Sequence, residues 1–336
     1  MKTNVRVGII GAGLIGRKRA EAVSKTKYGK LAAIADSDFA RAKALAEEYA
    51  VEASDDWKDI ISRKDIDVVI VAVPNAFAAP IVISALKNGK HVLCEKPFGI
   101  NSSESSKMLL AAKKAKKLVK VGFNHRFHQA IIKAHYIFKN GGIGKILFIR
   151  ARYGHGGRKG MEKEWRFDKA VSGGGELLDQ GVHIIDLARW FGGDFDRVYG
   201  LAQTKFWKTK IDDNAFVVMR NKNATVSFHV STTNWKNIFS FEIFGETGYL
   251  QVEGKGGSYG KETLTYGRRK LGFAPDVEIF KFGAEDASWK REWENFMAAI
   301  RGNGKIIGDA LDGFRANRIV EAIYKSSKIH REVNLT

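Results

Sequence analysis

Six residues near the start, Gly11-Ala12-Gly13-Leu14-Ile15-Gly16, constrain the fold more than any other stretch. They follow the short apolar run Val5-Arg6-Val7-Gly8-Ile9-Ile10, which suits a buried parallel strand. Helix formers follow at once, from Arg17 to Val23. In such a turn the first glycine permits the tight bend, the second lets backbone amides approach a pyrophosphate, and the third allows close helix–strand packing. The pattern alone is weak; its placement between strand and helix predicts a dinucleotide site built from Gly11, Gly13, Leu14, Ile15 and Gly16. The second strand, Leu31 to Ala35, ends in Asp36. A carboxylate there accepts hydrogen bonds from an adenosine ribose and repels a 2′-phosphate, which favours NAD. Ser37 and Arg41 lie close enough to leave NADP open.

The alternation of strands and helices continues. Phe39, Ala42, Leu45, Ala46 and Tyr49 recur at helical spacing and are expected in the core. Asp67 to Val73 reads as a strand ended by Pro74-Asn75. Val73, Pro74 and Asn75 either face a nicotinamide ribose or form a plain turn. A helix over Ile81 to Asn88, a strand over His91 to Cys94, a helix over Ser103 to Lys116 and a strand over Leu118 to Gly122 complete a doubly wound parallel sheet across residues 1–123. Glu95-Lys96-Pro97 then sits at a carboxyl strand end, where open α/β sheets bind ligands. A lysine there can serve as a general acid or lie solvated at the strand end.

Beyond Gly122 the pattern changes, and residues 124–336 are expected to form a second, α+β domain. Asn124-His125-Arg126-Phe127 opens a helix to about Asn140. Strands follow at hairpin intervals: 145–153, 196–205, 214–220, 225–231, 239–245, 249–253, 263–266 and 277–282. Helices over Trp289 to Arg301 and Leu311 to Lys325 close the chain, giving a large, predominantly antiparallel open sheet with helices on one face. One helical segment, Gly173 to Trp190, interrupts the strands and reads as amphipathic, with Leu178, Val182, Ile185 and Ala188 on one side. Asp179, His183 and Asp186 fall at i, i+4 and i+7 on its polar face. A carboxylate beside an imidazole raises its basicity and fixes its orientation, which suits proton abstraction from a hydroxyl. A helix-surface salt bridge, or a metal set of Glu176, Asp179 and His183, are the other readings of the same spacing.

Bulk properties exclude several classes. A chain of 336 residues, 44% hydrophobic and 28% charged, suits two globular domains. No apolar run approaches the roughly 20 residues that span a bilayer, so no membrane partner is expected. The first strand begins by Val5, which leaves no room for a signal peptide, and Cys94 is the single cysteine; both favour the cytoplasm. The net charge of +19 keeps an anionic substrate open. The densest basic cluster, Lys113, Lys114, Lys116, Lys117 and Lys120, lacks interleaved aromatics and is read as a solvated helix face, without specific nucleic-acid binding.

The glycine-loop opening, Pro74-Asn75, Cys94-Glu95-Lys96-Pro97 and then Gly173-Gly174-Gly175-x₃-Asp179-x₃-His183-x₂-Asp186 closely resemble, in order and spacing, the Gfo/Idh/MocA oxidoreductases. That resemblance implies an N-terminal Rossmann domain and a C-terminal domain whose open sheet often mediates homodimers or homotetramers. It implies NAD(P)-dependent oxidation or reduction of a hydroxyl-bearing carbon in a sugar, polyol, sugar acid or nucleotide-sugar. Lys96 matches the family's catalytic-site lysine and Glu95 its cofactor-ribose neighbour, across a Lys96-Pro97 bond commonly cis in relatives. Asp179 matches a substrate-binding aspartate and His183 a proton-transfer histidine. Asn124 and Arg126 match positions that approach cofactor or sugar, and Trp165-Arg166 a segment lining the cleft. Two positions depart from the pattern: Val73 stands for a threonine and Ala78 for a histidine near the nicotinamide end. Redox-neutral hydrolysis, elimination or epimerisation with retained NAD, and a non-catalytic NAD sensor, remain alternatives. The run Tyr153 to Lys163, with Gly154, Gly156, Gly157 and Gly160 among His155, Arg158, Lys159 and Lys163, reads as a substrate-side loop or a solvated one.

Overall fold

The structure, a computed structural model, describes residues 5–283 and 285–335. The chain divides into two compact units, and neither is one continuous stretch.

The first unit takes in the described residues up to Asn124 together with Ala170–Gly173 and Trp289–Arg315. Its elements run β1 (Arg6–Ile10), α1 (Leu14–Ser24), β2 (Lys30–Ala35), α2 (Phe39–Glu48), β3 (Glu52–Ser54), α3 (Trp57–Ser62), β4 (Val68–Val71), α4 (Asn75–Lys87), β5 (His91–Cys94), α5 (Ser102–Ala115) and β6 (Val119–Val121). The six strands lie in the order β3-β2-β1-β4-β5-β6, every pair parallel. Continuous apolar strands make this possible: all four residues of β4 are buried, as both faces of a parallel sheet require. The chain winds outward from β1 through β2 and β3, then returns to β4 on the other side of β1. That reversal is the switch point of a Rossmann sheet, the place where ligands enter at the carboxyl strand ends.

Several sequence expectations shift here. Phe39 is 48% exposed and not in the core, because it is the first residue of α2, while Ala42, Leu45 and Ala46 are buried and Tyr49 is partly so. Asp38 caps α2 by accepting from the Arg41 amide. Pro74-Asn75 is not a turn between strand and loop: Pro74 is the N-cap of α4, which starts at Asn75 and carries Pro80 inside it. Pro80 hid that first stretch, since a proline usually marks a helix boundary. Lys120 is fully buried, with its ammonium on the Ile307 carbonyl and 3.7 Å from Glu292, and is no part of a solvated face. The strand β3 and helix α3 gave no clear sequence signal, being three and six residues long. Trp289–Arg315 belongs with this unit because Trp293, Phe296 and Met297 join Ile9, Val23, Leu31 and Ile70 in one apolar core.

The second unit comprises His125–Lys169, Gly174–Ser288 and the chain from Ala316 onward. After a 3-10 turn over Asn124–Phe127 come α6 (Gln129–Lys139), β7 (Ile146–Gly154), the short α7 (Lys169–Ser172) and a π-helical turn over Leu177–Gly181 that runs into α8 (Val182–Gly192). The remaining strands are β8 (Arg197–Gln203), β9 (Asn214–Arg220), β10 (Thr225–Ser231), β11 (Ile238–Gly245), β12 (Gly248–Glu253), β13 (Thr263–Arg268) and β14 (Asp276–Lys281). In chain order there follow α9 (Ser288–Ile300), which falls in the first unit from Trp289 on, α10 (Ala310–Ile329), which joins the second unit from Ala316, and β15 (Val333–Asn334). The nine strands take the order β14-β13-β12-β11-β7-β10-β9-β8-β15, antiparallel except for the β7–β10 pair. Alternation separates the faces: in β9, Ala215, Val217 and Met219 are buried while Phe216, Val218 and Arg220 are exposed. Helices α6 and α8 pack against this sheet.

Candidate active site

At the carboxyl ends of β1 and β2 the glycine turn has the shape its residues require. Gly11 has φ +102°, and a Cβ there would collide with the Ala72 carbonyl of the neighbouring strand end. A Cβ on Gly16 would overlap the Gly11 carbonyl oxygen, so α1 can start this close to β1 only with glycine. Gly13 differs: nothing lies within 4 Å of its Cβ position, and Gly13 and Leu14 are both exposed, with Ile15 half-buried. Gly13 is the N-cap of α1 and offers no side-chain cap, and the first turn carries no acidic residue. An eleven-residue helix therefore points unmet amides and its positive end at open space. Asp36 accepts from the Ala12 amide at 2.7 Å and from the Asp38 amide at 2.9 Å, which holds its carboxylate beside the turn. Ser37 is exposed, and Arg41 pairs with Asp38 at 2.9 Å. These residues fit the pyrophosphate and adenosine ribose of a dinucleotide: open amides for the first, a positioned carboxylate for the second.

The ends of β4 and β5 complete the edge. Val73, Pro74 and Asn75 are partly exposed, and Asn75 Nδ2 donates to the Ser172 carbonyl at 2.8 Å. Lys96 is partly exposed and precedes a cis Lys96-Pro97 bond; Asn124 is buried. Glu95 is gripped by Arg19, whose Nε and Nη2 lie 2.6 and 2.5 Å from its Oε1. Arg19 itself is buried and also donates to Glu292 at 2.6 Å. Burial opposes the Arg19 charge, but the two carboxylates outweigh it and hold the guanidinium above its ordinary range. Glu95 bears the cost: burial, with Glu292 nearby, pushes it up despite Arg19. Arg19 thus ties the helix that begins at the glycine turn to the strand end that carries Lys96. A pattern search could not find it, since one arginine in a basic helix looks like any other.

In the second unit, Gly175 ahead of α8 makes room for a buried acid. Asp212 accepts from the Gly175 and Leu177 amides at 3.0 and 2.7 Å and from the Tyr324 hydroxyl at 2.7 Å. A Cβ on Gly175 would overlap the Asp212 carbonyl. Burial pushes Asp212 up, while those donors pull against it. Asp212 so caps the π turn that holds Asp179, a role without sequence signal because the acid lies far along the chain.

The segment is not the amphipathic helix expected. Every residue from Val182 to Arg189 is buried, because its polar groups pair inside the unit. Asp186 receives both Nε and Nη2 of Arg126, at 2.7 and 2.5 Å, and Arg126 lies 5.5 Å from the Trp190 ring. Asp186 is thereby bound to Arg126, an ion pair that its helical spacing did not announce. The π turn over Leu177–Gly181 also places Asp179 outside the regular α-helical repeat that leads to His183. Asp179 stays half-buried, and His183, buried, stacks on His125 with ring centres 3.7 Å apart. Tyr153 relates to each of them: its ring lies 6.3 Å from that of His183, and its hydroxyl feels the Asp179 charge. Tyr153 donates to Tyr259, and Lys255 sits 4.1 Å over the Tyr259 ring. Burial pushes Tyr153 well above the ordinary tyrosine range and Tyr259 up to about 12, so both are neutral hydroxyls.

The Tyr153–Lys163 run is ordered, not a loose solvated loop: Met161 is buried and Arg158 reaches Glu164 at 2.6 Å. Burial holds His155 below the usual histidine range, with Asp179 opposing and Arg158, Arg166 and Lys255 adding to the fall. Trp165 and Arg166 are half-buried in a 3-10 turn, the guanidinium 4.6 Å from the indole. Among the described residues no group of three His, Cys, Asp or Glu is placed to hold a metal ion, and no helix is long and apolar enough to cross a membrane.

The chain is similar to known proteins along its length. Residues 5–123 match the model of the oxidoreductase family with an NAD-binding Rossmann fold, and residues 131–251 match the Gfo/Idh/MocA C-terminal domain. Levoglucosan dehydrogenase of Pseudarthrobacter phenanthrenivorans is 30% identical over 286 residues, covering 74% of this chain and 73% of that protein. D-glucoside 3-dehydrogenase of Escherichia coli is 29% identical over 350 residues, covering 98% and 97%. A solved levoglucosan dehydrogenase in complex with NADH and L-sorbose superposes with a TM-score of 0.91 at 25% identity, over all of both chains. With a Rossmann sheet, a glycine turn fitted to a dinucleotide and relatives matched along nearly its whole length, this chain belongs to the Gfo/Idh/MocA family of NAD-dependent oxidoreductases.

Proposed function

We propose that the chain is a dehydrogenase that oxidises a hydroxyl of a sugar or polyol, with NAD as hydride acceptor. The observation that carries the reading is convergence at one edge of the six-stranded sheet. The glycine turn follows β1, Asp36 follows β2, Asn75 follows β4 and Glu95-Lys96 follows β5, all at carboxyl strand ends. The Gly11–Gly16 amides would hold the cofactor's pyrophosphate, Asp36 its adenosine ribose, and Asn75, Glu95 and Asn124 its nicotinamide half. The Asp36 carboxylate favours NAD over its 2′-phosphorylated form. When bound, NAD supplies the acceptor for the hydride that leaves the substrate carbon.

The protein's own task is the proton. His183, its ring plane fixed by the His125 stack, takes the hydroxyl proton as the carbonyl forms. Asp179 accepts a substrate hydroxyl and favours the charged form of the imidazole. Lys96 donates to the reacting oxygen and stabilises its developing negative charge. Arg126, paired with Asp186, positions α8 and, with Asp179, His183 and Trp165, would meet the sugar. The names of the relatives, which act on levoglucosan and on glucosides, support a carbohydrate hydroxyl.

The chain is expected to work in the cytoplasm, with its one thiol, Cys94, buried, and to self-associate through the exposed sheet face that carries Phe216 and Val218. The test is a panel of polyols, aldoses and glycosides assayed for NADH, with Lys96→Ala and His183→Ala as variants. Each should lower turnover by roughly 10²- to 10⁴-fold while NAD affinity, read by calorimetry, stays as in the parent. Full turnover in both variants would remove them from the mechanism.

A further inference from the structure

The glycine-rich run Tyr153 to Lys163 takes no part in the proton route, yet it is built with care. The His155 amide donates to the Ser231 carbonyl at 2.9 Å, and the Asn234 amide to the His155 carbonyl at 3.2 Å. The run is thereby tied to the turn after β10. Its glycines fall where other segments press on it. A Cβ on Gly154 would lie 2.6 Å from Asn234 Nδ2, and one on Gly156 would lie 3.0 Å from Trp235 Cα. A Cβ on Gly157 would overlap the Trp207 indole. The loop is shaped around two tryptophans.

What those tryptophans help build is open to solvent. Trp235 is 62% exposed and Phe206 58% exposed, with rings 4.7 Å apart and edge to face at 81°. Trp207 stands 5.2 Å behind Phe206, and Phe167, next to Trp165-Arg166, touches Trp207 in turn. Large aromatics left together in water mark a recognition surface more often than a packing error. This pair is also held rigid. Trp235 has φ +55°, a conformation that a bulky residue keeps only where its surroundings impose it. The amides of Lys205, Phe206 and Trp207 all donate to the Asp213 carboxylate, at 2.8, 2.7 and 2.9 Å. Those donors hold Asp213 below the usual carboxylate range although burial works the other way.

The platform is linked through bonded neighbours to the surroundings of Asp179, the acid proposed to bind substrate, within the same unit. Trp235 is the neighbour of Asn234, Asn234 bonds His155, and the His155 ring lies in the field of Asp179. A pyranose presents an apolar C–H face that stacks on an aromatic ring while its hydroxyls stay wet, which is what a half-exposed aromatic pair can bind. We infer that Phe206 and Trp235 form an outer subsite. It stacks a second ring, glycosidically joined to the sugar that Asp179 holds, so that glycosides and disaccharides are preferred to free monosaccharides. The inference rests on the carbohydrate reading above.

The test uses the full chain with NAD and matched pairs: glucose with cellobiose, galactose with lactose, xylose with xylobiose. The best disaccharide should exceed its monosaccharide in kcat/KM by about tenfold. Trp235→Ala and Phe206→Ala should each collapse that ratio toward one through KM. In parallel, tryptophan fluorescence titrated with the same disaccharides should show a saturable change that Trp235→Ala removes. If monosaccharides are turned over as well as every matched disaccharide, the subsite is refuted and the dehydrogenase reading stands. If the fluorescence change is seen but no sugar yields NADH, the subsite stands and the dehydrogenase reading falls. No binding of any disaccharide refutes it outright. So does a Trp235→Ala protein whose mass by light scattering drops while the ratio holds, since the pair is then a subunit contact.

Discussion

Three glycines in one turn should respond to the same alanine substitution in different ways, and Gly13→Ala is the informative one. Gly13 has φ −72° and ψ −169°, an extended conformation that alanine adopts freely. Nothing lies within 4 Å of the new methyl. Alanine is a poorer N-cap than glycine, but it also narrows the unfolded ensemble, so the net change in stability should stay within about 1 kcal/mol. That is a shift of roughly 2–4 °C in Tm at most for domains of this size. The methyl instead enters the space in front of the α1 amides. Forcing a methyl into a close-packed contact costs about 1–3 kcal/mol, so NAD should bind roughly 5- to 150-fold more weakly. Gly16→Ala should do the opposite, losing stability because its Cβ overlaps the Gly11 carbonyl. Gly11→Ala combines a collision with Ala72 and a φ of +102°, which alone costs about 1–3 kcal/mol. Calorimetric NAD titrations and thermal melts of the three variants measure both quantities. The reasoning is refuted if Gly13→Ala binds NAD like the parent, or if its Tm falls as far as that of Gly16→Ala.

Two further outcomes follow from buried charge. Arg19→Met strands the Glu95 and Glu292 carboxylates in the interior and should cost about 3–5 kcal/mol in urea unfolding at pH 7.5. Stranded carboxyls have raised folded-state pKa values, so the deficit should shrink as the pH is lowered toward 5; a deficit independent of pH would mean lost packing alone. Burial pushes His91 and His135 down to about 4, so both stay neutral in the fold while the unfolded chain takes up protons near 6.5. The unfolded state binds more protons between those values, so the stability present above about pH 6.5 declines as the pH falls toward 4. Discounted for partial exposure, each should contribute about 1–2 kcal/mol, and His91→Gln should flatten the urea midpoint between pH 7 and 5.

The sheets were largely legible because their signals are local. Thr225–Ser231 alternates polar and apolar residues, Asn214–Arg220 is a short apolar run, and both strands fall where the pattern put them. The glycine turn was legible because φ and close approach leave glycine no substitute at Gly11 and Gly16. What was not legible was pairing across long sequence separations. His125 stacks on His183, Asp212 caps the turn holding Asp179, and Arg19 binds both Glu95 and Glu292. None of these has a period or a motif; each is a single residue whose meaning comes from its partner. The same limit explains Lys120, which sits in a run of lysines yet is buried beside Glu292. It explains Asp186 too, whose helical spacing pointed to His183 while its carboxylate went to Arg126.

The buried charges also change the meaning of the net charge. Among the described residues six acids (Glu176, Asp186, Asp212, Asp213, Glu262 and Glu292) and five bases (Arg19, Lys90, Lys120, Arg126 and Arg189) are buried. The interior is therefore close to neutral, and the excess of +19 is carried by the surface. A surface excess raises solubility at the cost of self-repulsion, and it does not by itself mark a site. Charges of both signs act on the side chains near Asp179: Arg158, Arg166 and Lys255 on His155, and Glu176 and Asp179 itself on Tyr153. Neutral Tyr153 and Tyr259 hydroxyls, with an aromatic pair in the same unit, suit the polyhydroxyl substrate proposed above.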